Sequence, residues 1–353
     1  MPIRQASESS WIVDCSFLED VFSIVAITLH QHKKIFRKTF ANIQRLDWKK
    51  TMYPRYPAIG KVTLKAHVPE RSNTHGVYSG EISSPLVELD ICGPKNVAKA
   101  FKPLVRERAF DVSELSLMTY LQARAYGKPL VLLPAVVLAR FQHGFLACLA
   151  DAKLSGPKDL EGKRIAIRSY TVTTVTWMRA ILQRQFGVDV DRITWVAFED
   201  SHLAEFKDPL NVERIELGDR TIEDLVLDGT VDAAVLAKPP INERLRPVIA
   251  DPQEAAKAWL EKQGALQVNH LYAVDTALSE QRPDVVRAIY GMLKQAKSAA
   301  PKTELGIDLH PFGIQANRRN FEVAIACAYD QKLIQRRFAV EDLFDETTLA
   351  LDD

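Results

Sequence analysis

Cysteine is scarce and scattered in this chain. The four, Cys15, Cys92, Cys148 and Cys327, form no CxxC pair. Their spacing fits neither a zinc site nor a disulfide framework, so buried thiols in a reducing compartment are expected. Long apolar runs are missing as well: "VFSIVAITL" (Val21–Leu29) is far too short to span a bilayer. Nor does it read as a secretory signal. Glu8, Asp14, Glu19 and Asp20 precede it and the basic "HKKIFRK" follows, the reverse of the charge order a signal peptide uses. An excess of one charge is also absent, since 46 Lys+Arg meet 45 Asp+Glu for a formal net charge of +1. Nucleic-acid binders show a basic face that neutralises phosphate, so neither a nucleic-acid nor a membrane partner is expected. The chain has no P-loop, no GxGxxG, no GxSxG elbow and no HExxH, which removes the common nucleotide, hydrolase and zinc-protease chemistries. What is left is a small-molecule protein, expected in the cytoplasm.

What is present suits two lobes or one large α/β domain: 353 residues, 47% hydrophobic and 26% charged, an ordinary globular balance. Residues 1–60 read as an N-terminal extension ending in the linker-like "DWKKTMYPRYPAIG", with Met52 a candidate start. From Lys61 the pattern becomes regular. "KVTLKAHV" alternates as a half-buried strand does, "VELDI" follows as a second strand, and "PKNVAKAFKPLVRER" is an amphipathic helix. "FDVSELSLMTYLQARAYG" runs from a strand end into a helix closed by Gly127. "PLVLLPAVV" suits a strand buried on both faces, and "FLACLA" another strand. After the turn at "SGP", the strands "KRIAI", "ITWVAF", "IEL" and "DAAVLA" alternate with helices in a βαβαβ rhythm, as in a parallel sheet with covering helices. A strand at "VNHLYAV" then precedes a helical C-terminal region.

Several phrases carry more than periodicity. "FDVSELSLMTYL", "ARFQHG", "DLEGKRIAI", "TVTWMRAIL", "DLVLDGTVDAAV" and "HPFGIQANRRNFEVAIACAYDQKLIQRRFAVEDLF" occur in this order. Together they resemble the 4,5-dihydroxyphthalate decarboxylase family, whose fold is similar to that of type II periplasmic solute-binding proteins. The resemblance covers roughly residues 61 to 349. It implies a two-lobed α/β protein with two chain crossings and a ligand cleft between the lobes. Lobe one would comprise 61–154 plus 270–353, and lobe two 155–269. The implied activity is decarboxylation of a hydroxylated aromatic, phthalate-type acid. The alternative is a non-catalytic solute-binding protein of an ABC-type transporter. Two places depart from the family pattern: Phe141-Gln142-His143-Gly144 stands where Phe-Arg-His-Ser is usual, and Arg168-Ser169-Tyr170 where Pro-Glu-Tyr is expected.

Decarboxylating an electron-rich arene needs a held carboxylate and a proton delivered to the ring carbon. Histidine suits the second task and arginine the first. No metal or organic cofactor is demanded, because a catechol ring itself accepts the electrons. His143, beside Arg140 after a buried strand, and His270, at the expected return crossing, are the candidate proton donors, with Arg140 the carboxylate clamp. The strand-to-helix junction "RSYTVTT" supplies hydroxyls at a helix mouth, so Ser169, Tyr170, Thr171, Thr173 and Thr174 are expected to cradle an anion. Ser113 and Ser116 form the matching junction of lobe one, and Lys238 ends a strand of lobe two. His310 precedes a proline turn, His67 and His75 lie in the first loop, and His30, His32 and His202 belong to no motif.

Overall fold

The computed structural model describes residues 55–299 and 307–351. The expected extension up to residue 54, with Cys15, His30, His32 and Met52, lies outside them. From Tyr56 onward the chain is tied down rather than a free linker. Tyr56 is buried, its hydroxyl donates to Asp111 Oδ1 at 2.7 Å, and the Arg282 guanidinium donates to the carbonyls of Pro57 and Gly60 at 3.0 Å each.

Eleven strands appear among the described residues: β1 (Val62–His67), β2 (Val87–Ile91), β3 (Val112–Ser116), β4 (Leu130–Ala139), β5 (Leu146–Leu149), β6 (Arg164–Ile167), β7 (Thr194–Ala197), β8 (Val212–Arg214), β9 (Ala233–Val235), β10 (Leu245–Pro247) and β11 (Val268–Asp275). They form two sheets, ordered β2-β1-β3-β11-β4 and β10-β5-β9-β6-β7-β8. The chain therefore passes between sheets twice, as expected. The first crossing lies earlier than the 154/155 boundary, because β5 already pairs with β9 and β10 of the second sheet. The expected strand at "IEL" sits instead at Val212–Arg214, paired with β7. The sheets are mixed, not wholly parallel: β11 runs antiparallel to both β3 and β4.

Local sequence explains the elements that shape the site. β4 is buried along nearly its whole length, which is why its run is continuously apolar rather than alternating. The helices used below are α1 (Ala98–Glu107), α2 (Leu117–Ala125), α3 (Thr173–Phe186), α4 (Ile222–Leu227), α5 (Pro252–Gln263) and α6 (Ile314–Asp330). α1 buries Ala100, Phe101, Leu104 and Val105; the last three are among the four positions expected from its spacing, while the fourth, Val97, caps the helix half-buried. α3 ends at Gly187, whose φ of 66° lets the Val188 N–H return to the Leu182 carbonyl. Its exposed face is lost, because residues 173–182 are all buried. Even Arg179 is enclosed, donating to Gln331 of the α6 C-cap at 2.7 Å and to the Tyr170 carbonyl at 2.9 Å. α4 opens with a reciprocal capping box between Thr221 and Asp224. Cys92, Cys148 and Cys327 are free thiols. No described helix is long and apolar enough to cross a membrane.

Candidate active site

A cavity of about 320 Å³ opens between the two sheets, within the usual size of a small-molecule site. The first sheet and its helices contribute Asn96, Val97, Phe101, Ser116, Arg140, Asn269 and His270, and the second contributes Arg168, Thr173, Thr174, Phe198, His202 and Leu236. Its walls are largely apolar, with a few polar groups converging on the interior.

Strand register brings three titratable or hydroxyl side chains together here. His270 lies opposite Ser116, and Tyr272 lies opposite Glu114. Directly paired residues share a face and alternate residues return to it, so Glu114, Ser116 and His270 stand together. Ser113 falls on the other face with Leu115. Its hydroxyl donates to the Glu114 carbonyl at 2.9 Å and it does not line the cavity. Two serines three apart on a strand face opposite ways, so Ser116 alone of the pair lines the cavity.

Glu114 is fully buried and accepts from His270 Nδ1 and from both terminal nitrogens of Arg71, one of them at 2.8 Å. Burial opposes its ionisation, but the hydrogen bond and charge of His270, with Arg71, outweigh it and hold the carboxyl below the usual range. With Nδ1 turned back on Glu114, Nε2 is the edge His270 presents to the cavity. This is the carboxylate–imidazole arrangement that fixes a ring in one orientation.

Two arginines reach the same space from opposite sheets. Arg140 follows β4, its guanidinium 4.8 Å over the Phe145 ring, and its buried Nε has no hydrogen-bond partner. Burial first, then the positive charge of Arg71, pull it below the ordinary guanidinium value. Arg168 follows β6; its Nε lies 3.4 Å from Glu199 Oε2 but is likewise buried without a hydrogen bond. An unspent buried donor such as Arg140 Nε calls for an anion. At the same cavity α3 begins at Thr173 with no side chain capping it, leaving first-turn N–H groups beside it.

The "RSYTVTT" junction divides. Thr173 and Thr174 line the cavity and accept from the Met118 N–H at 3.3 Å and Asn269 Nδ2 at 3.5 Å. Ser169, Tyr170 and Thr171 do not line it. Ser169 is buried without a partner, Tyr170 is packed between Phe206 and Arg179, and Thr171 bonds Ser201 Oγ at 2.8 Å. The bend before the helix turns these three into the core. Lys238 is also displaced: β9 ends at Val235, and the approach to Pro239 carries Lys238 to the surface.

The largest correction concerns His143. It is buried on a short turn within the first crossing, bonded to Gln185 Oε1 at 3.0 Å and set against Phe141 and Trp259. Burial, partly offset by the Gln185 bond, pushes its pKa down to about 4. It does not line the cavity, because the turn faces α5. Its neighbour Gln142 supports the site from behind, donating to Asn269 Oδ1 at 2.7 Å and to the Arg140 carbonyl at 2.9 Å. His310 lies on a turn and does not line the cavity. His67 borders a second cavity, of about 610 Å³, shared with Arg71 and Lys95.

No catalytic or binding motif singles out Arg71, Glu114, Asn269 or His202 in the sequence, and Arg168 stands out there only as a departure from the family pattern. A buried carboxylate in "VSELS" was a readable signal, since an isolated glutamate inside a strand needs partners; nothing marked His202. No group of three metal-ligating side chains occurs among the described residues.

Fold and cavity together define a two-sheet, periplasmic-binding-protein-like α/β protein with a small-ligand cleft. The chain belongs to the NMT1/THI5-like family, whose sequence model matches residues 87–302. It is 29% identical over 213 residues to a 4,5-dihydroxyphthalate decarboxylase of Comamonas testosteroni, covering 55% of this chain and 63% of that protein. A Pseudomonas putida protein of the same description is 27% identical over 166 residues, covering 44% and 64%. In both, the match spans somewhat less than two thirds of the relative. Among solved structures, the alkanesulfonate-binding protein SsuA of Xanthomonas axonopodis pv. citri, bound to MOPS, aligns at 14% identity and TM-score 0.44, over 81% of this chain and 99% of that one. A ligand-binding component of an ABC-type import system from Staphylococcus aureus aligns at 9% identity and TM-score 0.49, over 83% and 99%. The desulfurization enzyme DSZB with biphenyl-2-sulfinic acid aligns at 14% identity and TM-score 0.43, over 82% and 97%.

Proposed function

We propose that the protein decarboxylates a hydroxylated aromatic acid of the phthalate type without a cofactor, with the ligand held between two lobes built on the two sheets. One observation carries this reading: a single cavity joins two arginines, one of them with an unspent buried donor, to a carboxylate-backed histidine. Arg140 and Arg168 hold the ligand carboxylates, assisted by the open helix mouth at Thr173 and Thr174. In its imidazolium form His270 gives the Nε2 proton to the ring carbon that bears the departing group. The bond to the carboxylate then breaks, its electron pair restores the aromatic ring, and CO₂ leaves, so that a proton has replaced CO₂. Phe101, Phe198 and Leu236 provide the apolar surface that favours neutral CO₂ over the carboxylate it came from. Glu114 orients the His270 ring, and the decarboxylase relatives support the choice of substrate class.

The test is CO₂ release from 4,5-dihydroxyphthalate by wild-type protein and by His270→Asn. Release that depends on His270 is expected. Tight binding of the ligand without any release would favour the non-catalytic solute-binding alternative.

A further inference from the structure

Two histidines, not one, flank Phe101. His270 and His202 meet its ring edge-on at 5.2 and 5.5 Å, and both line the cavity. Their surroundings differ in kind. His270 faces a carboxylate, whereas the charges around His202 are positive: Arg168, Lys102, Arg106 and His270. Burial first, then these cations, push the His202 pKa down to about 3. At neutral pH it is an uncharged ring carrying one N–H, unable to act as proton donor but well suited to hydrogen bonding.

The ring is also firmly held. It belongs to the loop after β7 and is almost fully buried. Its Nδ1 lies 2.7 Å from Thr119 Oγ1. Arg106 of α1 donates to the His202 carbonyl at 2.8 Å and to the Ser201 carbonyl at 2.7 Å. With Nδ1 engaged, Nε2 is the free edge toward the cavity. Thr119 Oγ1 in turn lies 2.7 Å from Ser116 Oγ, and Ser116 itself lines the cavity. The three side chains form a hydrogen-bond relay with both ends at the ligand space.

We propose that His202 is a specificity residue that recognises a hydroxyl on the aromatic ring of the ligand through Nε2, with Thr119 its positioning residue. The proposal rests on the aromatic-acid reading above and deepens it. The relay runs in either sense. If Ser116 donates to Thr119 and Thr119 to Nδ1, then Nε2 carries the hydrogen and donates to the ligand. If Nδ1 donates to Thr119 and Thr119 to Ser116, then Nε2 is bare and accepts. A ring hydroxyl both gives and takes, so it satisfies Nε2 in either state. A ring hydrogen satisfies neither and leaves a buried polar nitrogen unpaired, the kind of loss on which polar discrimination rests.

The experiment measures calorimetric affinities of the full chain for phthalate, 4-hydroxyphthalate and 4,5-dihydroxyphthalate, with CO₂ release followed on the same samples. Wild-type protein is expected to prefer a hydroxylated ligand over phthalate by about tenfold or more. His202→Phe should shrink that preference to about twofold while phthalate affinity stays within about threefold. Thr119→Val, which keeps the shape but breaks the relay, should lose most of the preference, and Thr119→Ser should restore it. The Thr119 pair keeps the test decisive if His202→Phe does not fold. Equal binding of the three ligands by wild-type protein, binding of none, or an undiminished preference in the foldable relay-breaking variants would each overturn the proposal. Absent CO₂ release with the preference intact sinks the decarboxylase reading alone, and CO₂ release without any preference sinks the role of His202 alone.

Discussion

His143 lies in the first chain crossing and His270 just after the second, yet they occupy opposite chemical worlds. Around His143 the neighbours are Phe141, Trp259 and the amide of Gln185. No charge stabilises the imidazolium, so burial keeps the ring neutral. Around His270 a buried glutamate, itself locked by Arg71, faces Nδ1. The first histidine fills space and spends one N–H; the second is oriented by a charge and opens on the ligand cavity. A histidine's function here follows from what lies behind it, not from its place at the end of a strand.

Substitutions that break this contrast should differ in size and in kind. Glu114→Ala should have the largest effect, because it leaves the Arg71 charge unpaired beside a buried hole and frees His270 from its support. A loss of about 3–5 kcal/mol is expected in denaturant unfolding, together with loss of turnover. His270→Asn should lower turnover by about 10²–10⁴-fold, the usual worth of a positioned acid, with little change in melting temperature. Arg140→Gln should raise KM by about 10–100-fold and change kcat less, as expected when a charge-assisted contact to the ligand is lost.

His143→Phe should do least to catalysis, with turnover within about threefold of wild type, and it should change the acid limb of stability. The ordinary value of 6.5 falls to about 4 in the folded protein. Between those values the unfolded chain binds a proton that the folded chain refuses. Stability is therefore fully present above about pH 6.5 and is lost as the pH falls toward 4, by on the order of 2–3 kcal/mol. Removing the imidazole should flatten that window, which pH-dependent unfolding of the two proteins will show. Protonation of Glu114, whose folded value is depressed, adds a loss of the same sign at lower pH.

Most of the fold was legible because its cues are local. The buried run of β4, the glycine ending α3 and the αβ rhythm all depend on neighbours in sequence. The first crossing was misplaced because "FLACLA" reads as a strand without saying which sheet it joins, and pairing with β9 and β10 is a long-range fact. The site was legible by halves for the same reason. Arg140, His270, Ser116, Thr173 and Thr174 sit where strands end and helices begin, and all line the cavity. Ser113 was lost to strand alternation, and Ser169, Tyr170 and Thr171 to a bend that turned them inward. Glu114 and His202 matter through partners from residues 71, 119 and 270, and no window of sequence contains such pairs.

The contrast between the two histidines yields the most direct test. CO₂ release from 4,5-dihydroxyphthalate should be measured side by side for wild type, His270→Asn and His143→Phe, each shown to be folded. Release that persists in His143→Phe and collapses in His270→Asn is predicted. Release that survives in His270→Asn, or disappears only in His143→Phe, would contradict the assignment of the chemistry to the Glu114–His270 pair.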